Sequence, residues 1–274
     1  MNALYVIKIG GNVIDDSLKL DTFLKDFSEL EGFKILIHGG GKIATKLSED
    51  LGITSIIIEG RRVTDSESLK VVTMVYAGLI NKSIVAGLQS RNCNAIGLTG
   101  ADGNIIRAKK RPLKKVLAKG IDLSEIIDYG FVGDLNQKSV NSDAIHKLLS
   151  SGFTPVFSAI THDGNGQLLN TNADTIASVI AVSMSALYST ALVYCFEKNG
   201  VLRDVNDEGS VIKTIDHGEY KKLKAEGVIS DGMIPKLDNA FEAINNGLNE
   251  VCIGKADTLP LLKKKAFGTR LTIR

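Results

Sequence analysis

Several residue types that mark particular classes of protein are scarce in this chain. It has no Trp, three Cys and four His in 274 residues. The cysteines lie far apart and form no C-x-x-C, which argues against a disulfide framework or a redox motif. We expect all three to be buried as small apolar side chains. The histidines fall in no metal-binding spacing, so the sequence predicts no dedicated metal site.

The chain also lacks a large excess of charge and a long apolar run. It has 33 Lys and Arg against 31 Asp and Glu, a formal net charge of +2, and 44% hydrophobic residues. This composition predicts a folded protein rather than a disordered one. No segment reaches the ~18–20 uninterrupted apolar residues of a membrane span, and the N-terminus shows no signal-peptide pattern. We therefore expect a cytoplasmic protein that does not bind a membrane.

One short segment is strongly basic. Seven Lys or Arg, and no acidic residue, lie between Arg107 and Lys119. A nucleic-acid site would normally add aromatic residues for base stacking and belong to a more basic protein. We interpret the segment as a solvent-exposed hairpin and expect no nucleic-acid partner.

Short β-branched runs alternate with longer segments of helical periodicity. This alternation is typical of parallel strands joined by helical crossovers, so it predicts an α/β fold around a mainly parallel sheet. The predicted strands are 4–9, 34–37, 55–58, 94–98, 155–159, 191–196 and a last one at 250–253. The predicted helices are 18–30, 42–51, 66–88, 174–184 and 237–245. Along one side of the third helix we expect Leu69, Val72, Val75, Leu79 and Ile80.

Lysines and glycines follow the first two strands. Lys8 lies inside an apolar strand and precedes Gly10 and Gly11, and the second strand runs into His38-Gly39-Gly40-Gly41-Lys42. Glycines at a helix start let backbone N–H groups approach an anion closely. An ordinary turn and a lysine reaching solvent are the plain alternatives. In open α/β sheets, ligands bind at the carboxyl ends of the strands, where these residues lie.

Three later segments are also rich in polar groups. Arg61 and Arg62 are suited to bind a carboxylate, since a guanidinium can form two parallel hydrogen bonds with it. Asn170-Thr171-Asn172-Ala173-Asp174 has more polar groups before a helix than a cap requires. Lys236 begins an apolar helix after Asp231-Gly232. The chain has no Walker A loop, no G-x-G-x-x-G fingerprint, no protein-kinase motif and no G-x-S-x-G elbow.

Taken in order, these segments resemble the N-acetyl-L-glutamate kinase branch of the amino acid kinase family, and the resemblance covers essentially the whole chain. The segments that match are Lys8-Ile9-Gly10-Gly11, His38 to Gly41, Arg62-Val63-Thr64, Asn170 to Asp174, Gly232 to Lys236 and Gly268-Thr269-Arg270. The resemblance implies an αβα three-layer sandwich and ATP with Mg²⁺ as phosphoryl donor. The acceptor it implies is the γ-carboxylate of an N-acylated glutamate, in arginine biosynthesis.

The resemblance also assigns roles to individual residues. Lys8 and Lys236 would neutralise the transferring phosphoryl group, and Asp174 would hold both lysines rather than act as a base. The implied substrate-binding residues are Gly40, Gly41, Arg62, Asn170 and Asn172. The implied nucleotide- or phosphate-binding residues are Gly11, Glu197, Lys198, Asn199, Gly200, Val201, Leu202, Val228, Ile229 and Ser230.

Two departures from the family pattern bear on specificity. Phe196-Glu197-Lys198-Asn199 replaces the usual Thr/Ser-Asp-Val segment, so Glu197 lengthens the usual acidic side chain and Lys198 adds a charge beside the expected nucleotide site. Arg61 stands where a hydrophobic residue is usual, and it would suit an acyl group that has its own carboxylate. N-succinyl-L-glutamate is therefore an alternative to the acetyl substrate, although Arg61 could also point to solvent. A catalytically silent carboxylate or nucleotide sensor is the alternative of a different class.

The resemblance and the apolar residues also lead to expectations about domains, oligomeric state and regulation. We expect one domain with two lobes, residues 1–170 binding the acyl-glutamate and residues 171–274 binding the nucleotide. The helix starting at Ser66 is more apolar than one buried face requires, which favours a homodimer. Family members inhibited by arginine have an extra N-terminal helix that links dimers into a hexamer. Only Met1, Asn2 and Ala3 precede the first strand, so we expect no inhibition by arginine.

Overall fold

The fold comes from a computed structural model, which describes residues 1–58, 61–117, 124–229 and 233–273; Ser230, predicted to contact the nucleotide, lies outside them. The strands are β1 Ala3–Ile9, β2 Phe33–His38, β3 Ile57–Ile58, β4 Arg61–Arg62, β5 Ala95–Leu98, β6 Lys109–Lys110, β7 Lys114–Leu117, β8 Ser124–Ile127, β9 Val132–Asp134, β10 Thr154–Ser158, β11 Ile160–His162, β12 Leu168–Thr171, β13 Ser189–Phe196, β14 Thr214–Ile215, β15 Glu250–Lys255 and β16 Thr269–Leu271.

The helices are α1 Gly11–Ile14, α2 Ser17–Glu29, α3 Gly41–Asp50, α4 Ser66–Val72, α5 Asn81–Gln89, α6 Ser142–Ser150, α7 Ala173–Met184, α8 His217–Ala225 and α9 Ile234–Asn245. A π-helical segment, Thr73–Ile80, joins α4 to α5 without a break. Short 3₁₀ turns lie at Asp102–Asn104, Gln137–Ser139 and Ala256–Leu261.

A central sheet organises the described chain. Its eight strands lie in the order β14-β16-β15-β13-β1-β2-β10-β5. All neighbouring pairs are parallel except β15 with β16. Helices α2 and α5 contact each other beside one face, and α7 contacts α6 and α9 beside β1 and β13. The predicted α/β class with a mainly parallel sheet between helical layers is confirmed.

The core explains why these sequences become strands. In β1 and β2 the side chains of Val6, Ile7, Ile35, Leu36 and Ile37 are fully buried. Strands covered on both faces have continuous apolar runs rather than alternation, as these do. Phe23, Leu24 and Phe27 form the buried face of α2. All three cysteines are buried, as expected from the sequence.

Three details of the sequence-based prediction are wrong. Segment 55–58 provides only the two-residue strand β3, which pairs with β4 in a separate hairpin. Strand β15 is followed by β16, so it is not the last. Leu79, which was predicted on the buried side of the third helix, is 59% exposed. A π-helix has more residues per turn than an α-helix, so the π-helical segment turns Leu79 away from the core.

The continuous helix Ser66–Gln89 is, within the described ranges, the one helix long and apolar enough to cross a membrane. Nearly half of its most apolar stretch, 44%, is buried inside the fold. The core helices of soluble proteins meet the same criterion. Length and composition are therefore weak evidence for a membrane span here.

Candidate active site

The site lies at the carboxyl ends of β1 and β2, where the chain order of the sheet changes direction. Strand β1 has β2 on one side and β13, which comes much later in the sequence, on the other. Such a change of direction opens a crevice for ligands. The crevice here is a cavity of about 410 Å³. Its lining includes Lys8, Gly11, Gly39, Gly40, Gly41, Lys42, Thr45, Arg62, Tyr76, Arg111, Asn170, Thr171, Asn172 and Asp174.

An ion pair joins strand β1 to helix α7 across the cavity. Lys8 Nζ lies 2.7 Å from Asp174 Oδ1, and both side chains are largely buried. The two opposite charges lie at hydrogen-bonding distance beside the cavity, where an anion can meet the ammonium.

Asp174 is ionised in spite of its burial. Burial raises the pKa of the carboxyl, but the charges of Lys8 and Lys236 lower it more, and the net shift is downward. Its position in the first turn of α7 also favours a negative charge. Tyr194 on β13 supports the same turn, because its hydroxyl donates to the backbone oxygen of Asp174 at 3.2 Å.

Lys236 approaches from the other half of the chain. It lies near the start of α9, with Nζ 5.9 Å from the ring centroid of Phe196. Its charge acts on Asp174, yet no described carboxylate forms an ion pair with it. The charges of both lysines act on Asp174, but only Lys8 lines the cavity with it, and Lys236 does not.

Two glycine-rich turns form the wall nearest the strand ends. Gly11 begins α1, and Gly41 begins α3 after Gly40. The first N–H groups of α3 have no intrahelical partner and can bind an anion. Gly40 has φ of 151°, and a Cβ there would lie 2.1 Å from Ile80 Cδ1. Only glycine fits this position.

Arg62 is a guanidinium without an acidic partner among the described residues. Nη1 donates to Ser55 Oγ at 2.5 Å, and Nη2 donates to Thr45 Oγ1 at 2.6 Å and to the Gly41 oxygen at 3.2 Å. These neutral contacts orient the side chain and leave its charge uncompensated. Arg62 is therefore available to a carboxylate in the cavity. Arg61 belongs to β4, but its side chain lies outside the described part of the structure.

The two asparagines differ in their surroundings. Asn170 Nδ2 donates to the buried Thr64 Oγ1 at 3.0 Å. No described residue donates a hydrogen bond to Asn170 Oδ1, so this oxygen can accept one from a ligand. Asn172 caps α7, since its Oδ1 accepts from the Thr175 N–H at 3.0 Å. Asn172 still lines the cavity, but its oxygen is occupied by the cap.

Arg111 was missed by the sequence analysis. The exposed-hairpin interpretation is wrong for this residue, because its side chain is only 11% exposed and lines the cavity. Its Nε and Nη2 donate to the Asp134 carboxylate, and its guanidinium lies 5.1 Å from the ring centroid of Tyr129. Neither partner is close in sequence, so the basic segment around Arg111 gave no sign that this side chain is buried.

Part of the predicted nucleotide segment forms a second, smaller cleft of about 50 Å³. Its lining is Lys198, Gly200, Val201, Leu202, Val205, Val228, Ile229 and Met233. Glu197 and Asn199 do not line it, and Lys198 forms an ion pair with Glu208 at 2.7 Å. A Cβ on Gly200 would lie 2.7 Å from Thr269 Oγ1, which accepts from the Val201 N–H at 2.8 Å. The matching Gly268-Thr269-Arg270 segment thus supports this turn.

The described residues contain no group of three or more His, Cys, Asp or Glu that could hold a metal ion.

Comparisons with known proteins identify the family of the chain. The profile of the amino acid kinase family matches residues 3–255. The acetylglutamate kinase of Cytophaga hutchinsonii is 55% identical over 99% of both chains, and that of Bacteroides fragilis is 54% identical over 93% of both. The crystal structure of smu.665 from Streptococcus mutans has a TM-score of 0.72 and 25% identity, covering 99% of both chains. The chain therefore belongs to the amino acid kinase family, in its acetylglutamate kinase branch.

Proposed function

We propose that the protein transfers the γ-phosphoryl group of ATP to the γ-carboxylate of N-acetyl-L-glutamate, as a step of arginine biosynthesis. The observation that carries this proposal is the meeting, in one cavity, of the Lys8–Asp174 pair, two glycine turns and the uncompensated Arg62. The close relatives are named for this activity. Mg²⁺ accompanies ATP as part of the donor substrate.

The chemistry requires positioning and charge neutralisation rather than a base. The acceptor carboxylate is ionised at neutral pH, so no proton has to be removed. A carboxylate oxygen attacks the γ-phosphorus, and a new P–O bond forms. The bond from that phosphorus to the bridging oxygen breaks, and ADP leaves with the electron pair. Negative charge shifts along this line, where fixed cations and N–H groups stabilise it most.

The residues divide this work between them. Lys8 and Lys236 neutralise the phosphoryl oxygens, and Asp174 keeps the lysines in place. The N–H groups of Gly11, Gly40 and Gly41 bind the phosphates and the transition state. Arg62 and Asn170 hold the α-carboxylate and the acylamino end of the substrate, and Asn172 supports them nearby. We assign the acyl-glutamate to residues 1–170 and the nucleotide to residues 171–274, along the cleft that includes Gly200 and Ile229.

Trapping of the acyl phosphate with hydroxylamine, alongside ATP consumption, tests the reaction directly. Lys8→Ala and Lys236→Ala should each lower kcat by roughly 100-fold or more, because one preorganised charge contributes several kcal/mol to the transition state. Lys46→Ala, an exposed lysine of α3, is the matched control and should behave as wild type. Near-normal turnover in either lysine variant would overturn the assignment. ATP or substrate binding without turnover in wild type would favour the sensor instead.

N-succinyl-L-glutamate is a second candidate substrate because Arg111 lines the cavity. Its charge is paired with Asp134, so a substrate carboxylate would have to compete for it. We expect the acetyl compound to have the higher kcat/KM for this reason. Measuring both substrates with wild type, Arg61→Ala and Arg111→Ala decides between them. A succinyl preference that either substitution abolishes would reverse the assignment.

We also propose that the enzyme is a cytoplasmic homodimer. Met74 and Leu79 are more than half exposed on the π-helical segment, and strand β5 is the edge of the central sheet next to α5. Exposed apolar residues beside an open sheet edge favour an isologous contact between two copies.

A further inference from the structure

A buried polar pair lies directly behind the glycine turn after β2. His38 is the last residue of β2 and is fully buried, and it does not line the cavity. Its Nε2 lies 3.1 Å from Nδ2 of Asn81, which is also buried, and its Nδ1 lies 2.9 Å from the Gly39 oxygen. The roles assigned above use neither side chain.

The neighbours of Asn81 fix the orientation of its amide. One end lies 3.0 Å from the backbone oxygen of Val156, which can only accept. The other end lies 3.1 Å from Lys82 Nζ, which can only donate. The amide nitrogen must therefore face Val156, and this same nitrogen donates to His38 Nε2.

The protonation state of His38 follows from that orientation. Because Nε2 accepts from Asn81, it has no proton, and the proton is on Nδ1 and is donated to the Gly39 oxygen. A second proton on Nε2 would face the Asn81 N–H. Burial lowers the pKa of His38 to about 4, in agreement with a neutral ring.

The π-helical segment brings the partners of this turn into contact with it. Tyr76 and Ile80 belong to this segment and lie against Gly40, and Asn81 is the first residue after it. A π-helix changes the angular spacing of side chains, and such segments occur often at functional sites. Here one continuous helix places an apolar side chain on Gly40 and a polar one on His38.

We propose that the His38–Asn81 pair is a positioning device that fixes the Gly39 peptide and so orients the N–H groups of Gly40 and Gly41 toward the cavity. Neither side chain touches the substrate. The pair connects the long helix to the turn, so a change on that helix can reach the phosphate-binding groups. The effect on turnover rests on the proposed kinase activity, whereas the geometry of the pair does not.

The tautomer of His38 can be measured independently of activity. In ¹⁵N-histidine-labelled protein, the His38 signals are the ones that disappear in His38→Asn. We expect a neutral ring with the proton on Nδ1 from pH 5 to pH 9. A proton on Nε2, or titration within that range, would contradict the proposed pair even if the enzyme has another substrate.

Kinetics test the positioning role. Asn81→Leu should lower kcat about 10- to 100-fold, since small misplacements of catalytic groups have effects of this size. The KM values should change less than about threefold, because no group that contacts substrate is lost. His38→Asn can still donate to the Gly39 oxygen, so it should retain more activity than His38→Leu. Ser83→Ala, which removes an exposed hydroxyl of α5, is the control and should match wild type.

The folded fraction of each variant is measured by circular dichroism and urea unfolding. A lower kcat per folded molecule supports positioning. A loss of activity that only follows the loss of folded protein would show a purely structural role and overturn the proposal. Equal activity of His38→Asn and His38→Leu would overturn it as well.

Discussion

Single residues of the site differ in whether their charge is compensated. Arg111 is held by the Asp134 carboxylate, whereas the partners of Arg62 among the described residues are hydroxyl groups and a backbone oxygen. Removing a substrate carboxylate from water is favourable only when it gains a partner of opposite charge. Arg62 is thus the better carboxylate site, although both arginines line the same cavity.

Arg62→Ala should mainly weaken substrate binding. Loss of hydrogen bonds to a charged group is expected to raise KM for the acyl-glutamate about 10- to 100-fold, with a smaller change in kcat. Arg62→Lys keeps the charge but not the planar fork, so its KM should be intermediate. Steady-state kinetics with saturating ATP measure both. An unchanged KM in Arg62→Ala would place the carboxylate elsewhere.

Gly40→Ala should strongly lower the turnover of the enzyme. The left-handed φ costs ~1–3 kcal/mol for a residue with a Cβ, and that Cβ would also displace Ile80. We expect kcat to fall by about 100-fold and the unfolding free energy to fall by that cost. Gly218→Ala on α8 is the control, since its φ is ordinary and only the flexible Asp216 carboxylate is near. Wild-type activity in Gly40→Ala would mean that the turn adapts without consequence.

At the scale of elements, the cavity is built by segments from both halves of the chain that meet at the carboxyl ends of the central strands. Strands β1 and β2 provide Lys8 and the two glycine turns, while β12 leads through Asn170 into α7 and Asp174. The C-terminal strand β16 has a comparable role in the small cleft. Its first residue, Thr269, donates to the Ile212 oxygen at 2.6 Å and accepts from Val201.

Thr269→Val should destabilise the turn at Gly200. The substitution keeps the volume but leaves a buried N–H and a buried carbonyl without a partner, which costs ~1–3 kcal/mol. Urea unfolding should show this loss, and KM for ATP should rise while KM for the acyl-glutamate stays the same. Thr272→Val, three residues later and outside the cleft, is the comparison variant. An unchanged KM for ATP would separate this turn from the nucleotide.

At the scale of the whole molecule, stability in acid depends on His38. Burial lowers its pKa to about 4, a hydrogen bond to Gly39 opposes this, and the charge of Lys82 adds to it. In the unfolded chain His38 binds a proton near pH 6.5, whereas in the folded chain the ring stays neutral at this pH. The contribution of His38 to the unfolding free energy is therefore fully present above pH 6.5. It is lost as the pH falls from 6.5 to 4.

The wild-type unfolding free energy should therefore fall by on the order of 3 kcal/mol more than that of His38→Asn between pH 7 and pH 4. Urea unfolding at several pH values measures the difference. A gap between the two proteins that does not change with pH would show that His38 titrates normally in the folded state.

Assembly can be tested on the exposed apolar face of the long helix. Leu79→Lys combined with Met74→Lys should convert a dimer to a monomer, because two desolvated charges per copy would face each other. Sedimentation velocity measures the mass, and Lys70→Ala on the same helix is the control. A wild-type monomer or hexamer would contradict the proposed dimer.

Much of the site was predictable because its signals are local. A lysine in an apolar strand, glycines directly after strands and polar residues before a helix are patterns of a few residues. Parallel strands necessarily bring their carboxyl ends to one edge. The sequence alone therefore determined the fold class and the grouping of Lys8, Gly40 and Asp174.

The tertiary structure decided what depends on partners far apart in the chain. Asn170 meets Thr64 across 106 residues, and Asn81 meets His38 across 43. Arg111 is buried only because Asp134 and Tyr129 fold against it, although its own sequence segment looks exposed. The π-helical segment likewise arises from packing rather than from periodicity, which is why Leu79 was misplaced. Local patterns fix which groups can reach the sheet edge, whereas long-range packing fixes which of them are paired, oriented or free.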